Sequence, residues 1–129
     1  MATWEYDVPS GIFTFNDRFY ALYGTNAERE GGYSMSREEY YRRFIHPDDI
    51  EHVEKMAAMA PDYMGNNLHF DHRVIRRDGE IRHFNIFPCQ IKDGNGKILK
   101  VFGVNQDITD IIKAEKDLRK SHEMLNLLS

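Results

Sequence analysis

The side chains able to do chemistry in this chain are scattered along it. Six histidines, His46, His52, His69, His72, His83 and His122, accompany one cysteine, Cys89. A structural metal site needs Cys, His or carboxylate ligands at short, ordered spacing, and no such cluster is present, so no bound metal is expected. Asp93-Gly94-Asn95-Gly96 begins like a calcium loop, but its fifth position is Lys97 and the closing position, where a bidentate glutamate is required, is Val104. Calcium is therefore rejected. Ser121-His122-Glu123 starts like a phosphoacceptor-histidine box, yet Met124-Leu125-Asn126-Leu127 follows where Arg-Thr-Pro is usual. No nucleophile with an adjacent base, no Gly-rich phosphate loop and no carboxylate pair on one element is evident, so catalysis is not expected.

Two other groupings are more informative. His72 and His83 fall on adjoining strand-like runs, where either could face an internal cavity and read a ligand carboxylate or pH. With Tyr41, Phe44, Phe70 and Phe102 they form a candidate ligand pocket, against the plainer alternative that histidines and aromatics at this spacing simply fill a core. The second grouping is Asp107-Ile108-Thr109, where the strand-like run Ile98 to Gln106 passes directly into a charged helix. Asp107 is placed to accept from backbone N–H groups at the helix start, and Thr109 suits the first turn. A shift of the strand would then become a tilt or rotation of the helix, with simple helix capping as the bland reading of the same residues.

The elements that must position these groups follow from periodicity. Trp4 to Val8 alternates large apolar with acidic residues, turns at Pro9-Ser10-Gly11 and resumes at Ile12 to Phe15, a hairpin signature. Asn16 or Asp17 can cap a short helix carrying Phe19, Leu22 and Tyr23, which Gly24 ends; Gly31-Gly32 marks a loop. Ser36-Arg37-Glu38-Glu39 has capping-box spacing, with Met35 and Tyr40 as a hydrophobic staple. Pro47, Asp48 and Asp49 suit the first turn of a further helix whose buried stripe is Ile50, Val53, Met56, Ala57 and Ala60, ended by Pro61. Leu68, Phe70, His72 and Val74 share one face of a strand. Arg77-Asp78-Gly79-Glu80 is a tight turn, and Ile81 to Ile91 returns beside the first strand. The last strand places Ile98, Phe102 and Val104 on one face and Leu99 and Val101 on the other, which predicts that a partner subunit or a flanking helix covers its outer side. From Ile111, apolar or small residues recur through Ala114, Leu118, Ser121, Leu125 and Leu128 at alternating spacings of three and four, a coiled-coil seam with no stop signal before Ser129.

Composition limits the function classes. A length of 129 residues accommodates one core. A net charge of −4 with interspersed signs gives no basic footprint for nucleic acid and no polybasic patch for direct membrane contact. No run of eighteen or more apolar residues occurs, and a lone cysteine cannot build an internal disulfide framework, so a cytoplasmic module is expected, whose parent chain could still be membrane-anchored.

The motifs then form a pattern. Arg73-Val74-Ile75-Arg76-Arg77-Asp78-Gly79, Phe87-Pro88, Asp93 to Lys97 and Gly103-Val104-Asn105-Gln106-Asp107-Ile108-Thr109 resemble the C-terminal half of a PAS domain, the PAC motif. Trp4-Glu5-Tyr6-Asp7 and His46-Pro47-Asp48-Asp49 resemble the PAS subgroup common in prokaryotic sensor histidine kinases and diguanylate cyclases. The resemblance implies an α+β fold: a five-stranded antiparallel sheet of order 2-1-5-4-3, short helices on one face around a cavity, and a C-terminal coiled-coil connector helix. It implies residues 1–107 as a sensory domain and 108–129 as a signalling helix, in a homodimer that senses a small-molecule ligand or partner for a downstream effector domain in the same chain. The ligand is not specified. Haem is not expected, because His52, on the helix that carries the iron ligand in haem-binding PAS domains, lies between Glu51 and the buried-face Val53. Flavin photochemistry is not expected either, because Cys89 lies in a strand beside Pro88 and not in the helical motif of light-oxygen-voltage domains. The alternative reading is a ligand-free dimerisation and spacer module with a filled core.

Overall fold

In the computed structural model, which describes residues 1–62 and 68–128, the N-terminal hairpin is β1 (Ala2–Asp7) and β2 (Ile12–Thr14). Asn16 accepts from the Phe19 N–H at 2.8 Å and so starts α1 (Asp17–Leu22). Gly24, at φ +72°, closes that helix: its N–H reaches the Ala21 carbonyl and the Thr25 N–H reaches the Tyr20 carbonyl, a pairing that requires the left-handed conformation glycine adopts without strain. A short helix not foreseen from the sequence, α2 (Ala27–Glu30), follows under an Asn26 cap.

The chain then adds a sixth strand. Where five strands were expected, Ser34–Ser36 forms β3, pairing antiparallel with β2 through Phe13 and Met35. The Gly31-Gly32 turn, both residues at positive φ, reverses the chain so that the residues before the Ser36 cap run back along β2. Ser36 Oγ accepts from the Glu39 N–H and opens α3 (Arg37–Phe44). The reciprocal half of the capping box is not made, because the Glu39 carboxylate pairs with Arg42 and Arg43. A 3-10 turn at Pro47–Asp49 leads into α4 (Ile50–Ala57). Three long strands complete the sheet: β4 (Phe70–Ile75), β5 (Ile81–Lys92) and β6 (Ile98–Asp107). The order is β3-β2-β1-β6-β5-β4, which contains the expected 2-1-5-4-3 arrangement with β3 added at one edge.

The core is aromatic and lies between the sheet and α1, α3 and α4. Phe15 stacks on Phe19 at 3.9 Å between ring centroids, Phe19 on Tyr23 at 4.3 Å, and Tyr23 meets Phe44 and Phe84 edge-on. Each ring buried at these positions contributes roughly 1.5–3 kcal/mol relative to exposure. Glu30 ties the loops to this core. Its fully buried carboxylate accepts two hydrogen bonds from Arg77 at 2.9 and 2.8 Å, one from Arg43 at 2.8 Å and one from Thr25 at 2.5 Å. Asp49 does the same for the 3-10 turn, accepting from the Arg73 N–H, Nε and Nη2 at 2.7, 3.1 and 2.6 Å.

The final helix, α5 (Thr109–Leu128), leaves the body. Ile112 is half-buried, but Leu118, Leu125 and Leu128 are 63%, 64% and 81% exposed, and Ser129 lies outside the described residues. The expected cover over the outer side of β6 is thus not supplied by this helix, and Phe102 and Val104 there are half-buried; Ile98, expected on the same face, is turned to the other side by the bulge that pairs Lys100 with Ile91 and Ile98 with Lys92.

Candidate functional site

A cavity of about 50 Å³ lies between β1, β5 and β6 on one side and α1, α3 and α4 on the other. Its wall among the described residues is aromatic, with Trp4, Phe13, Phe15, Phe19, Tyr40, Tyr41 and Phe70, and is completed by Val53, Ala57, Ile86, Pro88 and Val101. Sheet parity decides which residues reach it. In β6 the inward positions are Val101, Gly103 and Asn105; in β5, Phe84, Ile86 and Pro88; in β4, Phe70, His72 and Val74. Gly103 is required beneath Trp4, because a Cβ there would stand 2.5 Å from the indole ring.

Of the sequence candidates, Tyr41, Phe70 and His72 line this cavity and three do not. His83 pairs with Arg73 across β4 and β5 whereas His72 pairs with Phe84, so the two histidines occupy opposite faces; His83 Nε2 meets the Asp71 carboxylate on the outer side. Phe102 stands opposite Cys89 and Glu5, again on the outer face. Phe44 faces inward but is fully buried against Tyr23 and beneath the Arg77 guanidinium, outside the cavity wall. The two-residue period of a strand is the reason for the first two corrections, since a cross-strand pair shares one face. His52 is exposed, with its ring 6.1 Å from Phe70.

Polar groups at the cavity are few and mostly committed to one another. Trp4 Nε1 donates to Asn105 Oδ1 at 2.7 Å, Asn105 Nδ2 donates to the Tyr23 hydroxyl at 3.0 Å, and Tyr23 and Tyr40 share a 2.7 Å hydroxyl hydrogen bond. Burial pushes both tyrosines far above their ordinary range, so they remain neutral donors and acceptors. Sequence reasoning missed Asn105; the available signal was a polar residue at an inward position of an otherwise apolar strand. His72 is buried, and its Nδ1 lies 3.1 Å from the Arg73 carbonyl. Burial holds its imidazole below the usual histidine range, and therefore neutral at physiological pH.

Beside this cavity lies an outer vestibule of about 270 Å³, also missed from the sequence. It shares Trp4, Phe13, Tyr41, Ala57 and Val101 with the inner space and opens between α3 and α4. Arg37 and Glu54 span the opening with a 3.4 Å ion pair, and the Arg37 guanidinium lies 5.2 Å from the centre of the Tyr41 ring. Together the two spaces reach the roughly 300 Å³ at which small-molecule sites begin.

The root of α5 is built from the same two strands. Asp107 Oδ1 accepts from the Thr109 N–H at 3.0 Å and from the Thr109 hydroxyl at 2.6 Å, while Oδ2 accepts from Arg82 Nε at 2.9 Å. The Thr109 Oγ1 accepts in turn from the His83 N–H at 2.8 Å, and the Ile108 N–H donates to the His83 carbonyl at 2.8 Å. Burial alone raises the Asp107 carboxyl, but the bonds from Thr109 and Arg82 outweigh it and hold the group below its ordinary value. Among the described residues no group of three His, Cys, Asp or Glu side chains is placed to hold a metal ion, and no helix is long and apolar enough to cross a membrane.

Comparison with known proteins agrees with this architecture. Residues 12–105 match the family model described as the PAS fold. The probable diguanylate cyclase DgcE of Escherichia coli is 23% identical over 126 residues, covering 96% of this chain and 11% of that protein. The peroxide stress-activated histidine kinase mak1 of Schizosaccharomyces pombe is 29% identical over 115 residues, covering 88% of this chain and 6% of that protein. The chain thus spans about a tenth or less of the curated relatives it matches. Among solved structures, a sensory box histidine kinase/response regulator from Burkholderia thailandensis superposes with a TM-score of 0.76 at 22% identity, over 97% of this chain and 89% of that one. The N-terminal domain of a diguanylate cyclase with PAS/PAC sensor from Marinobacter aquaeolei gives 0.64 at 21% identity, over 83% and 94%.

Proposed function

Because this chain belongs to the PAS fold family and is a sensory module of the kind carried by larger signalling proteins, we propose that it senses a small ligand in the core cavity and relays occupancy through α5. One observation carries this reading: β5 and β6 supply both the cavity wall, through Ile86, Val101 and Asn105, and the root of the helix, through His83 and Asp107. Only Gln106 separates Asn105 from Asp107, so a displacement of β6 by an occupant reaches the cap of α5 through covalent backbone. The output is a change in how two copies of the helix pack along the Leu118 and Leu125 seam, which passes to a kinase or cyclase domain downstream in the parent protein. On this reading the chain itself is not a catalyst; it is a regulatory input.

A fusion of this chain ahead of a histidine-kinase catalytic core tests the relay. Ala57→Leu, which intrudes on the space between cavity and vestibule, is expected to change autophosphorylation at least twofold, and Asp107→Ala in the same fusion is expected to remove that response. Kinase activity indifferent to both substitutions would leave the ligand-free spacer as the better account. The enclosed part of the cavity, at about 50 Å³, is the observation that favours that second reading.

A further inference from the structure

Resting on the reading of the cavity as a ligand site, the structure also indicates which chemistry it selects. A carbonyl oxygen can only accept, so the contact between His72 Nδ1 and the Arg73 carbonyl places the ring hydrogen on Nδ1. In the neutral ring Nε2 is then a lone-pair acceptor. No hydrogen bond joins it to another described residue, and His72, only 3% exposed, lines the cavity. The other polar atoms nearby are bonded mainly to one another: Asn105 accepts from Trp4 and donates one amide hydrogen to Tyr23, and the Tyr23 and Tyr40 hydroxyls share one hydrogen bond, so what they leave uncommitted is N–H and O–H hydrogen. Among the described lining residues the cavity therefore offers the His72 Nε2 acceptor in an aromatic enclosure and no charged side chain; the Arg37–Glu54 ion pair stands at the vestibule mouth.

We infer that the cavity recognises a small neutral aromatic molecule carrying one hydrogen-bond donor, a phenolic hydroxyl or ring N–H, which it donates to His72 Nε2. A flat ring suits walls made of Phe15, Phe19, Tyr41 and Phe70. An anion is disfavoured inside, because it would be desolvated and would meet a lone pair. The 50 Å³ inner space accommodates the donor and adjoining ring atoms, and the remainder of the ring extends toward the vestibule past Ala57 and Val101.

Phenol and toluene, which differ by hydroxyl against methyl on the same ring, are the probes. Trp4 is the chain's one tryptophan and lines the cavity, so its emission excited at 295 nm reports binding directly. Phenol is expected to bind saturably and toluene about tenfold or more weakly, the discrimination typical when a buried acceptor is left unpaired. His72→Leu is expected to abolish that preference. In the wild-type protein, long-range nitrogen-proton spectra provide a readout independent of whether that variant folds, since phenol must move the His72 Nε2 resonance and toluene must not. Equal affinity for the two probes, or phenol binding with Nε2 unmoved, overturns the inference while leaving the cavity as a site for other molecules. Absence of saturable phenol binding overturns it as well, and the kinase fusion judges the relay separately.

Discussion

Replacing Asp107 with Ala removes three contacts at once: the Thr109 N–H, the Thr109 hydroxyl and the Arg82 guanidinium. Loss of a helix-capping acceptor costs about 1 kcal/mol. The part-buried ion pair adds about 1 kcal/mol more, toward the low end because Arg82 keeps Glu80 at 2.7 Å and the pair is not fully desolvated. The expected total is about 2 kcal/mol, or roughly thirtyfold in a local opening equilibrium. This loss should be local, because α5 beyond Ile112 is exposed and the cavity wall does not depend on the carboxylate. Hydrogen exchange followed by NMR provides the measurement: the amides of Ile108, Thr109 and Ile112 should lose about thirtyfold protection while Phe84 and Ile86 in β5 change little. Unaltered exchange at the helix root would refute the capping argument. Uniform acceleration across the sheet would show instead that Asp107 supports the whole body, and the mechanical reading of the junction would fail.

Three further outcomes are expected. Arg77, with help from Thr25 and Arg43 and against the opposing effect of burial, holds the Glu30 carboxyl at about 2 against an ordinary 4.5; because the folded value is depressed, its contribution is complete above pH 4.5 and is lost as pH falls toward 2. Glu30→Gln should therefore lower stability at pH 7 by roughly 3 kcal/mol and flatten the acid limb of a urea-melt pH series, and a parallel pair of curves would contradict this. Gly103→Ala drives a methyl group into the Trp4 ring and should cost about 1–3 kcal/mol with a shift in tryptophan emission; an unchanged spectrum and melting temperature would mean that Trp4 is not wedged over β6. Changing both Leu118 and Leu125 to Lys should move a dimer toward monomer in sedimentation velocity, whereas an unaltered sedimentation coefficient would remove α5 from the subunit contact.

Much of the fold is written in short-range chemistry. The Asn16 and Ser36 caps, the Gly24 helix stop and the Asp93 to Gly96 turn are interactions between residues at most five apart, and a reader of the chain can find them because loop closure that short leaves few alternatives. The heptad spacing after Ile111 and the Asp107-Thr109 cap belong to the same class. β3 escaped notice because three residues carry too little periodicity, and only the Gly31-Gly32 reversal lays them along β2.

The cavity is different in kind. Its members lie up to about a hundred positions apart, as Trp4 and Asn105 do, and which of them meet depends on register. A shift of one residue in the pairing of β4 with β5 would bring His72 and His83 to the same face of the sheet, and nothing in the local sequence around either histidine fixes the register. The vestibule and its Arg37–Glu54 closure likewise exist only because α3 and α4 are packed across the same sheet. By itself the sequence determined the elements other than α2 and β3, their order, the caps and the family, since these depend on neighbours along the chain. The tertiary structure alone decided which histidine faces inward, which aromatic rings form a wall and which outline a core, and that Asn105 is bound to Trp4 and Tyr23 while His72 Nδ1 is taken by the Arg73 carbonyl, since burial and hydrogen bonding at such distances belong to the packed assembly.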